Sequence, residues 1–531
     1  MIADEARDIS KSEQMSICLR YVTGHEIQEH FLQFVAITGD LSAEKLSQEL
    51  AICLKSHGLD LKLCIGQCYD GASVMSGEFN GVQEKFRSLC DSPCIYVHCY
   101  AHRVNLVLVD VCNAVQPAGD LFGVLEAVHN FLTVSSIRHD KFVAIQKEQC
   151  ETVMELPLLC DTRWVCKLKA VKTFKDRFES VMLTLHFFTQ SKKPRERVEA
   201  KGLITQLLNI SNAFMLHLFE KLLLLTNCVS TYCQSKDATM SAACALVDST
   251  ISALVAMRSD DSVDKLYSDV VSFCGKVGIV IADDLASRTV TANASDVHSV
   301  AVTGRKKRVP ALSAKFNDSV VLTTVGHREV MPTTDTQCTS ADSPAVSSDC
   351  KATLRKYSLE IIDRMQSELK NRFCHSQPIL LSCDTLNPTT SVFMKYEVMQ
   401  PLAEAYSYLG IDSQKLQSQC TVARNMFESV CETESVLSVV KKLNAMSCAF
   451  PDLVKFAQLV LTIPVSSAGA ERSFSAMKRV KTYLRSTMAD NRLTNLCILS
   501  IERALSSQLM ADPSMVVDGF AKHGNRRLPM I

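Results

Sequence analysis

Asp4 and Asp70 are the first residues whose placement suggests chemistry. Asp4 ends the short apolar run Met1-Ile2-Ala3, and Asp70 follows directly on the apolar stretch from Leu61 to Cys68. Carboxylates that meet at strand ends can hold divalent cations, which activate an attacking oxygen and stabilise a leaving one in phosphodiester chemistry. Aspartate is equally at home in a turn or at a strand end with no chemistry to do, and position alone does not separate the two readings. Cys99 and His102 share one face of an expected helix, with His98 just ahead of them. Zinc needs four ligands and no second pair at finger spacing stands nearby, so zinc is not expected there and packing is the plain role of Cys99. The densest basic run is Gly304-Arg305-Lys306-Lys307-Arg308-Val309-Pro310. It suits phosphate contact or nuclear import, against the alternative of a solvated patch without function.

For Asp4 and Asp70 to meet, the chain between them must take a particular course. Met15–Val22 and Ile27–Val35 are rich in strand formers and are separated by the turn-like Thr23-Gly24, so with the opening run they read as a three-strand meander. A helix then opens at Ser42, carries Leu46, Leu50, Ile52, Cys53 and Leu54, and ends near Gly58. Leu61–Cys68 reads as a strand, Gly81–Leu89 as a helix, Cys94–Val97 as a short buried strand and Cys99–Val115 as a helix. An RNase H-like fold has this order, with its first and fourth strands adjacent at the sheet centre. The expected class is therefore α/β, with an RNase H-like mixed sheet core. The first strand has only Met1-Ile2-Ala3 ahead of Asp4, so it is expected to be cut short and to forfeit ladder hydrogen bonds.

The rest of the chain is expected to be helical. At 531 residues two or three domains are anticipated. The core's first part is assigned to residues 1–118, a large all-α insertion to 119–452, a C-terminal segment completing the core to 453–510 and a tail to 511–531. Within the insertion, residues 287–348 lack steady periodicity and read as a linker. Lys+Arg and Asp+Glu both number 57, so any DNA-binding face must come from local clustering. The 23 cysteines are scattered through apolar runs without a paired CxxC array, which points to free buried thiols in a reducing compartment. The opening turns acidic at once, unlike a signal peptide. The most apolar stretch, Leu216–Val229, carries Glu220 and Lys221 and reads as too short for a bilayer, so an intracellular protein without membrane contact is expected.

Several motifs, in order, resemble one family. Asp4-Glu5-Ala6-Arg7-Asp8-Ile9-Ser10 with Arg20-Tyr21-Val22, then Cys68-Tyr69-Asp70-Gly71-Ala72-Ser73-Val74-Met75, then His98-Cys99-Tyr100-Ala101-His102-Arg103, are similar to the catalytic-core segments of hAT-type transposase-derived proteins, notably the zinc-finger MYM-type proteins. Asp161-Thr162-Arg163-Trp164 resembles the Arg-Trp motif at the edge of their insertion, and Pro464 to Ser475 resembles the hAT C-terminal dimerisation signature. The resemblance implies a DDE-type acid set, Asp4, Asp70 and Glu471, binding Mg²⁺ or Mn²⁺. It also implies a dimer, DNA as partner and a nuclear location. Arg163, Trp164, Cys99 and His102 become candidate DNA contacts, beside Arg305, Lys306, Lys307 and Arg308. Trp164, the one tryptophan, is implied to stack on an unpaired base, unless it is simply buried. Asp8 is the weaker alternative to Asp4, because a turn would carry it off the sheet centre. Ser466 or Ser467 can cap the helix bearing Glu471, and Ala468, Gly469 and Ala470 would let it lie close to the sheet.

Two classes of function follow. One is a metal-dependent DNA cleavage and strand-transfer enzyme, favoured by the full acid set. The other is a domesticated, non-catalytic regulator or interaction protein, favoured by the foreshortened first strand and by the lack of an upstream zinc-binding region.

Overall fold

The computed structural model describes residues 1–159, 164–279, 350–373, 378–428 and 435–522. Two compact units are distinguished, Met1–Val280 with Leu354–Ile531, and Ile281–Thr353. The first holds nearly all described residues, and all that follows concerns it.

Five strands form one mixed sheet in the order β3-β2-β1-β4-β5. β1 (Ile2–Arg7), β2 (Glu13–Thr23) and β3 (Glu26–Ile37) form the antiparallel meander, turning between β2 and β3 on Gly24 at φ 63°. β4 (Gly66–Tyr69) lies parallel to β1, and β5 (Ile95–His98) parallel to β4. This is the RNase H-like arrangement expected from the element order. β1 is longer than its apolar run: Asp4, Glu5, Ala6 and Arg7 stay in register with Ser16, Met15, Gln14 and Glu13. An ion pair between Arg7 and Glu13 at 3.0 Å closes the ladder, so cross-strand partners replace apolar residues as the reason to remain extended. The expected foreshortening does not occur on this side, and Asp4 lies inside the strand, not at its end. Toward β4 the chain is bonded by Cys68 N–H to Met1 C=O at 3.0 Å. β4 is shorter than the expected strand, because Asp60 caps a 3₁₀ turn at Leu61–Leu63 before it.

One sheet face, with Met1, Ala3, Met15, Ile17 and Tyr69, packs on α1 (Ala43–Ser56) and, after the short α2 (Ser73–Ser76), α3 (Val82–Cys90). Ser42 caps α1 as expected, accepting from Lys45 N–H. The helical series then runs α4 (Tyr100–Ala114), α5 (Gln116–Thr133), α6 (Ser136–Glu148), α7 (Trp164–Asp176), α8 (Phe178–Phe188), α9 (Pro194–Leu207), α10 (Ile210–Cys233), α11 (Met240–Met257) and α12 (Asp260–Val277). It resumes with α13 (Cys350–Phe373), α14 (Pro378–Leu381), α15 (Tyr396–Ala405), α16 (Ser413–Glu428), α17 (Val436–Ala445) and α18 (Pro451–Thr462). The chain closes with α19 (Ala468–Val480), α20 (Asp490–Ile501), α21 (Arg503–Ala511) and α22 (Ser514–Lys522). A mixed sheet interrupted by a large helical array is thus the architecture.

α10 corrects one expectation. It is 24 residues long, and both it and α11 are long and apolar enough, by length and composition, to cross a bilayer. In the fold α10 is a core helix, burying Phe214, Leu218, Phe219, Leu222 and Leu223. Its charged pair is used rather than interrupting: Glu220 meets Lys175 at 2.6 Å and Lys221 meets Asp269 at 3.1 Å.

Arg20 joins the sheet to the helical array. Nearly fully buried, it donates to Leu461 C=O (3.0 Å), Lys236 C=O (2.8 Å), Ala238 C=O (2.7 Å) and the Glu29 carboxylate (2.9 Å). α20 covers the edge strand β3, where Thr494 Oγ1 accepts from Phe34 N–H at 3.2 Å and Glu502 from Phe31 N–H at 2.9 Å. Those bonds satisfy donors that an open edge would expose. Leu493 and Cys497 are the buried residues of this helix, which packs on β3 and α19, while its Leu499 stays exposed.

Candidate active site

The acid cluster follows from register. Ile2 pairs with Cys68 across β1 and β4, so two residues further along each strand Asp4 and Asp70 fall side by side. Both lie on the face opposite Met15 and Tyr69, since side chains alternate. α19 crosses that face. Ser473 Oγ meets Ser16 Oγ at 2.6 Å, and the rings of Phe474 and Phe34 stack with centroids 5.7 Å apart. Gly469 faces the sheet at close range: a Cβ there would make ordinary contact with Glu29 Oε2 at 3.4 Å and Cys18 Sγ at 4.0 Å. This puts Glu471, in the first turn of α19, over the centre of the sheet. Ser467 occupies the cap position without a side-chain cap bond, and Ser466 Oγ instead donates to Cys233 C=O at 2.6 Å.

Asp4 feels the other two carboxylates. Burial, and then the charges of Glu471 and Asp70, push the Asp4 carboxyl up to about 8. Glu5, on the other face of β1, is pushed up to about 7 by burial, Glu13 and Asp70, and its Oε1 is buried without a hydrogen-bond partner. A half-buried acid whose proton affinity is raised by neighbouring carboxylates marks a donor set that a hard divalent cation favours, since the cation supplies the missing positive charge. Asp4, Asp70 and Glu471 thus fit Mg²⁺ or Mn²⁺ in donor type and in charge. Asp8 is excluded from the set. It sits in the turn after β1, where Lys481 Nζ lies 2.6 Å away and Ser10 and Ser12 N–H groups donate to it at 2.7 and 3.0 Å. Burial alone would raise its pKa, but these partners hold its carboxyl below the usual range.

The Cys99–His102 element locks the C-terminal segment to this site. Cys99 N–H donates to Tyr69 C=O (2.9 Å), Tyr100 N–H to Val465 C=O (3.0 Å), and Ser467 N–H to Cys99 Sγ (3.2 Å). Burial pushes the Cys99 thiol up, yet hydrogen bonds from Cys68 and Ser467 leave it lower than usual. Cys99 is fully buried, so as a DNA contact it is corrected to a positioning group, while His102 is half-buried on α4.

Sequence reasoning left Glu5 and His98 without roles. Burial, with Arg103, His102 and Arg372 close by, pulls the His98 imidazole down to about 3, so it is neutral, and its Nε2 is buried without a hydrogen-bond partner. It packs on Gly71, where a Cβ would come within 2.4 Å of His98 Cε1. The glycine after Asp70 was the available signal, because only a residue without a side chain admits the ring.

Arg163, Arg305, Lys306, Lys307 and Arg308 lie outside the described residues, and Trp164 is described only as the first residue of α7. Beyond Glu471, Lys478, Arg479 and Arg485 are exposed, whereas Lys481 is consumed by Asp8.

Comparison with known proteins matches two segments of the chain. Residues 1–81, which hold Asp4 and Asp70, match the ZMYM1/FAM200 RNase-like domain. Residues 422–505, which hold Glu471, match the hAT family C-terminal dimerisation region. A human relative, the 52 kDa repressor of the inhibitor of the protein kinase, is 21% identical over 98% of this chain, and the match spans 63% of the relative's length. The chain thus resembles hAT-derived, transposase-like proteins in two segments, a ZMYM1/FAM200-type RNase-like domain at one end of the sequence and a hAT dimerisation region toward the other.

Proposed function

We propose that this protein is a nuclear, DNA-binding dimer whose acid set, Asp4, Asp70 and Glu471, holds two divalent cations for cleavage and joining of DNA ends. The convergence of these acids from β1, β4 and α19 carries the reading. Mg²⁺ or Mn²⁺ would supply polarisation of the phosphate and activation of the attacking hydroxyl. Asp4 and Asp70 would hold the inner side of the site from the sheet, and Glu471 would close it from above. Neutral His98, one residue before the Cys99 anchor, keeps positive charge away from the cation positions. Exposed Lys478 and Arg479 in the last turn of the helix that carries Glu471, and Arg485 in the 3₁₀ turn after it, would track the DNA backbone, with the 305–308 basic run adding phosphate contact or nuclear import. Self-association is supported by exposed apolar side chains within and just past the dimerisation region, among them Leu484, Leu499, Leu505 and Met510. The test is nicking and joining of candidate transposon-end DNA by the purified chain in Mg²⁺ or Mn²⁺, beside Asp70→Ala, with mass measured by light scattering. Metal-dependent activity lost in the variant supports the proposal. DNA binding without any metal-dependent cleavage in either protein overturns the catalytic part.

That second outcome would favour a non-catalytic regulator. The specific observation on its side is the human relative, which bears the name of a repressor.

A further inference from the structure

Three thiols that belong to no part of the acid site converge behind it. The Sγ atoms of Cys64, Cys90 and Cys94 all lie within 4.8 Å of one another, and Cys64 and Cys94 are 3.6 Å apart. Among the described residues this is the one set of three His, Cys, Asp or Glu ligand atoms so closely grouped. Tetrahedral zinc with sulfur at about 2.3 Å requires sulfurs separated by about 3.8 Å, and the Cys64–Cys94 pair at 3.6 Å is close to that.

The backbone around the thiols is built to hold this arrangement. Cys64 ends the 3₁₀ turn before β4, Cys90 is the last residue of α3, and Cys94 stands one residue ahead of β5. Between the last two, Asp91 and Cys94 both take left-handed conformations, at φ 50° and 33°. Such conformations cost energy in residues with a Cβ, and here they turn the chain so that both thiols face Cys64. Ser92 Oγ fixes Cys64 C=O at 3.2 Å, and Gln67 Nε2 fixes Cys94 C=O at 2.9 Å. Ile95 N–H bonds Ile65 C=O at 2.9 Å, and Tyr406 OH donates to the same carbonyl. A hydrogen-bonded second layer of this kind is what orients metal ligands. Cys90 and Cys94 are fully buried, while Cys64 is half-buried and lines a cavity of about 640 Å³ walled by Leu54, Leu59, Leu63 and Ile411.

We infer that Cys64, Cys90 and Cys94 form a zinc site, with three thiolates from the protein and a fourth position supplied from the cavity by water or a small exogenous thiol. Zinc binds thiolates, so protons leave as the ion enters and affinity falls in acid. The ion ties the turn before β4 to the loop before β5, the strands that end at Asp70 and His98. It is a soft-ligand site, chemically distinct from the carboxylate cluster, and it stands whether or not that cluster is catalytic.

The experiment uses the full chain, purified in reductant without chelator and dialysed against zinc or cobalt alone. Elemental analysis should find stoichiometric zinc, and the cobalt form should show sulfur-to-cobalt charge transfer with the intense visible bands of tetrahedral coordination. Cys53→Ser, a buried cysteine of α1 outside the cluster, and Asp70→Asn should both keep the metal. Cys90→Ser and Cys94→Ser should lose it together with the charge-transfer band. Should those variants fail to fold, mercurial titration of the wild-type chain gives an independent reading, with zinc release tracking the modification of thiols located by peptide mapping at 64, 90 and 94. Three results overturn the inference: a folded wild-type chain without stoichiometric metal, zinc retained after folded Cys90→Ser or Cys94→Ser replacement, or a Cys64–Cys94 disulfide in the freshly purified protein.

Discussion

Replacing Asp4 by asparagine should make the metal-free protein more stable, an unusual direction for a change at the centre of a sheet. An acid whose folded pKa stands above its unfolded value destabilises the fold once pH exceeds the unfolded value, because the folded state must release a proton it holds more tightly. For Asp4 the penalty begins near 3.8, grows with pH and levels off near 8. At pH 7 the full linkage amounts to about 4 kcal/mol at 1.36 kcal/mol per unit, and this is a ceiling because Glu471 and Asp70 share the effect. The amide still has to be buried, so a net gain of about 1–3 kcal/mol is expected for Asp4→Asn, visible as a rise of a few degrees in Tm. The assay is thermal unfolding of both proteins in chelator from about pH 5 to 9, repeated with Mg²⁺. The wild-type deficit should widen toward pH 8 and then stay constant. Mg²⁺ should stabilise the wild type and leave the variant unmoved, since a ligand stabilises only the state that binds it. A variant that melts at or below the wild type at pH 8, or an equal response of both to Mg²⁺, would refute the reasoning.

Three further changes test the frame around the acids. Asp8→Asn leaves the Lys481 ammonium buried without its partner and should cost about 3–5 kcal/mol in urea unfolding. Because the Asp8 carboxyl is held below its usual range, that contribution is present above the unfolded pKa and is lost as pH falls, so the gap to wild type should close in acid. A gap that persists at low pH would point to packing instead. Arg20→Lys keeps the charge but cannot reach the three carbonyls and Glu29 together, and hydrogen exchange should rise first over Ser235–Thr239. Unchanged protection there would show that the stitch is dispensable. Gly71→Ala drives a methyl into His98 and should cost about 1–3 kcal/mol, with most of it recovered in the double variant carrying His98→Ala. Failure of that rescue in unfolding measurements would place the strain elsewhere.

How much of this could be read from sequence depended on the range of the interaction. Sheet order followed from element order, and Asp4 beside Asp70 followed from that order, because a parallel β1–β4 pair brings the two together whatever lies between. The end of β1 did not follow, since Asp4–Arg7 stay extended through partners on β2 that carry no local apolar signal. Glu471 had no local signal either. Its position depends on a helix more than 400 residues beyond β1, and only the family resemblance pointed to it. The length of α10 was hidden because Glu220 and Lys221 looked like interruptions, while each has its counter-ion on a neighbouring helix. The thiol cluster was hidden for a related reason. The gap from Cys64 to Cys90 spans β4 and α3, so the spacing resembles no finger, and the three meet only once the sheet has formed.

The same range argument explains why the helical array helps to place the acid cluster. Glu471 can stand over Asp4 only if the Pro464–Ser467 segment is fixed, and its anchors come from two sides. From the core, Cys99 and Tyr100 hold Ser467 and Val465. From the array, the end of α10 and the connection to α11 present four carbonyls: Cys233 to Ser466, Gln234 to Arg472, and Lys236 and Ala238 to Arg20. Two of these acceptors serve residues within five positions of Glu471, and the others serve a strand residue that also holds Leu461 at the end of α18. Moving the α10–α11 connection therefore shifts both the sheet that carries Asp4 and the helix that carries Glu471. In a site where charges repel until a cation arrives, small changes in carboxylate separation alter cation affinity steeply, since the Coulomb energy scales inversely with distance in a half-buried medium. A contact made on the helical array thus has a direct mechanical route to the acids, through hydrogen bonds that are already in place.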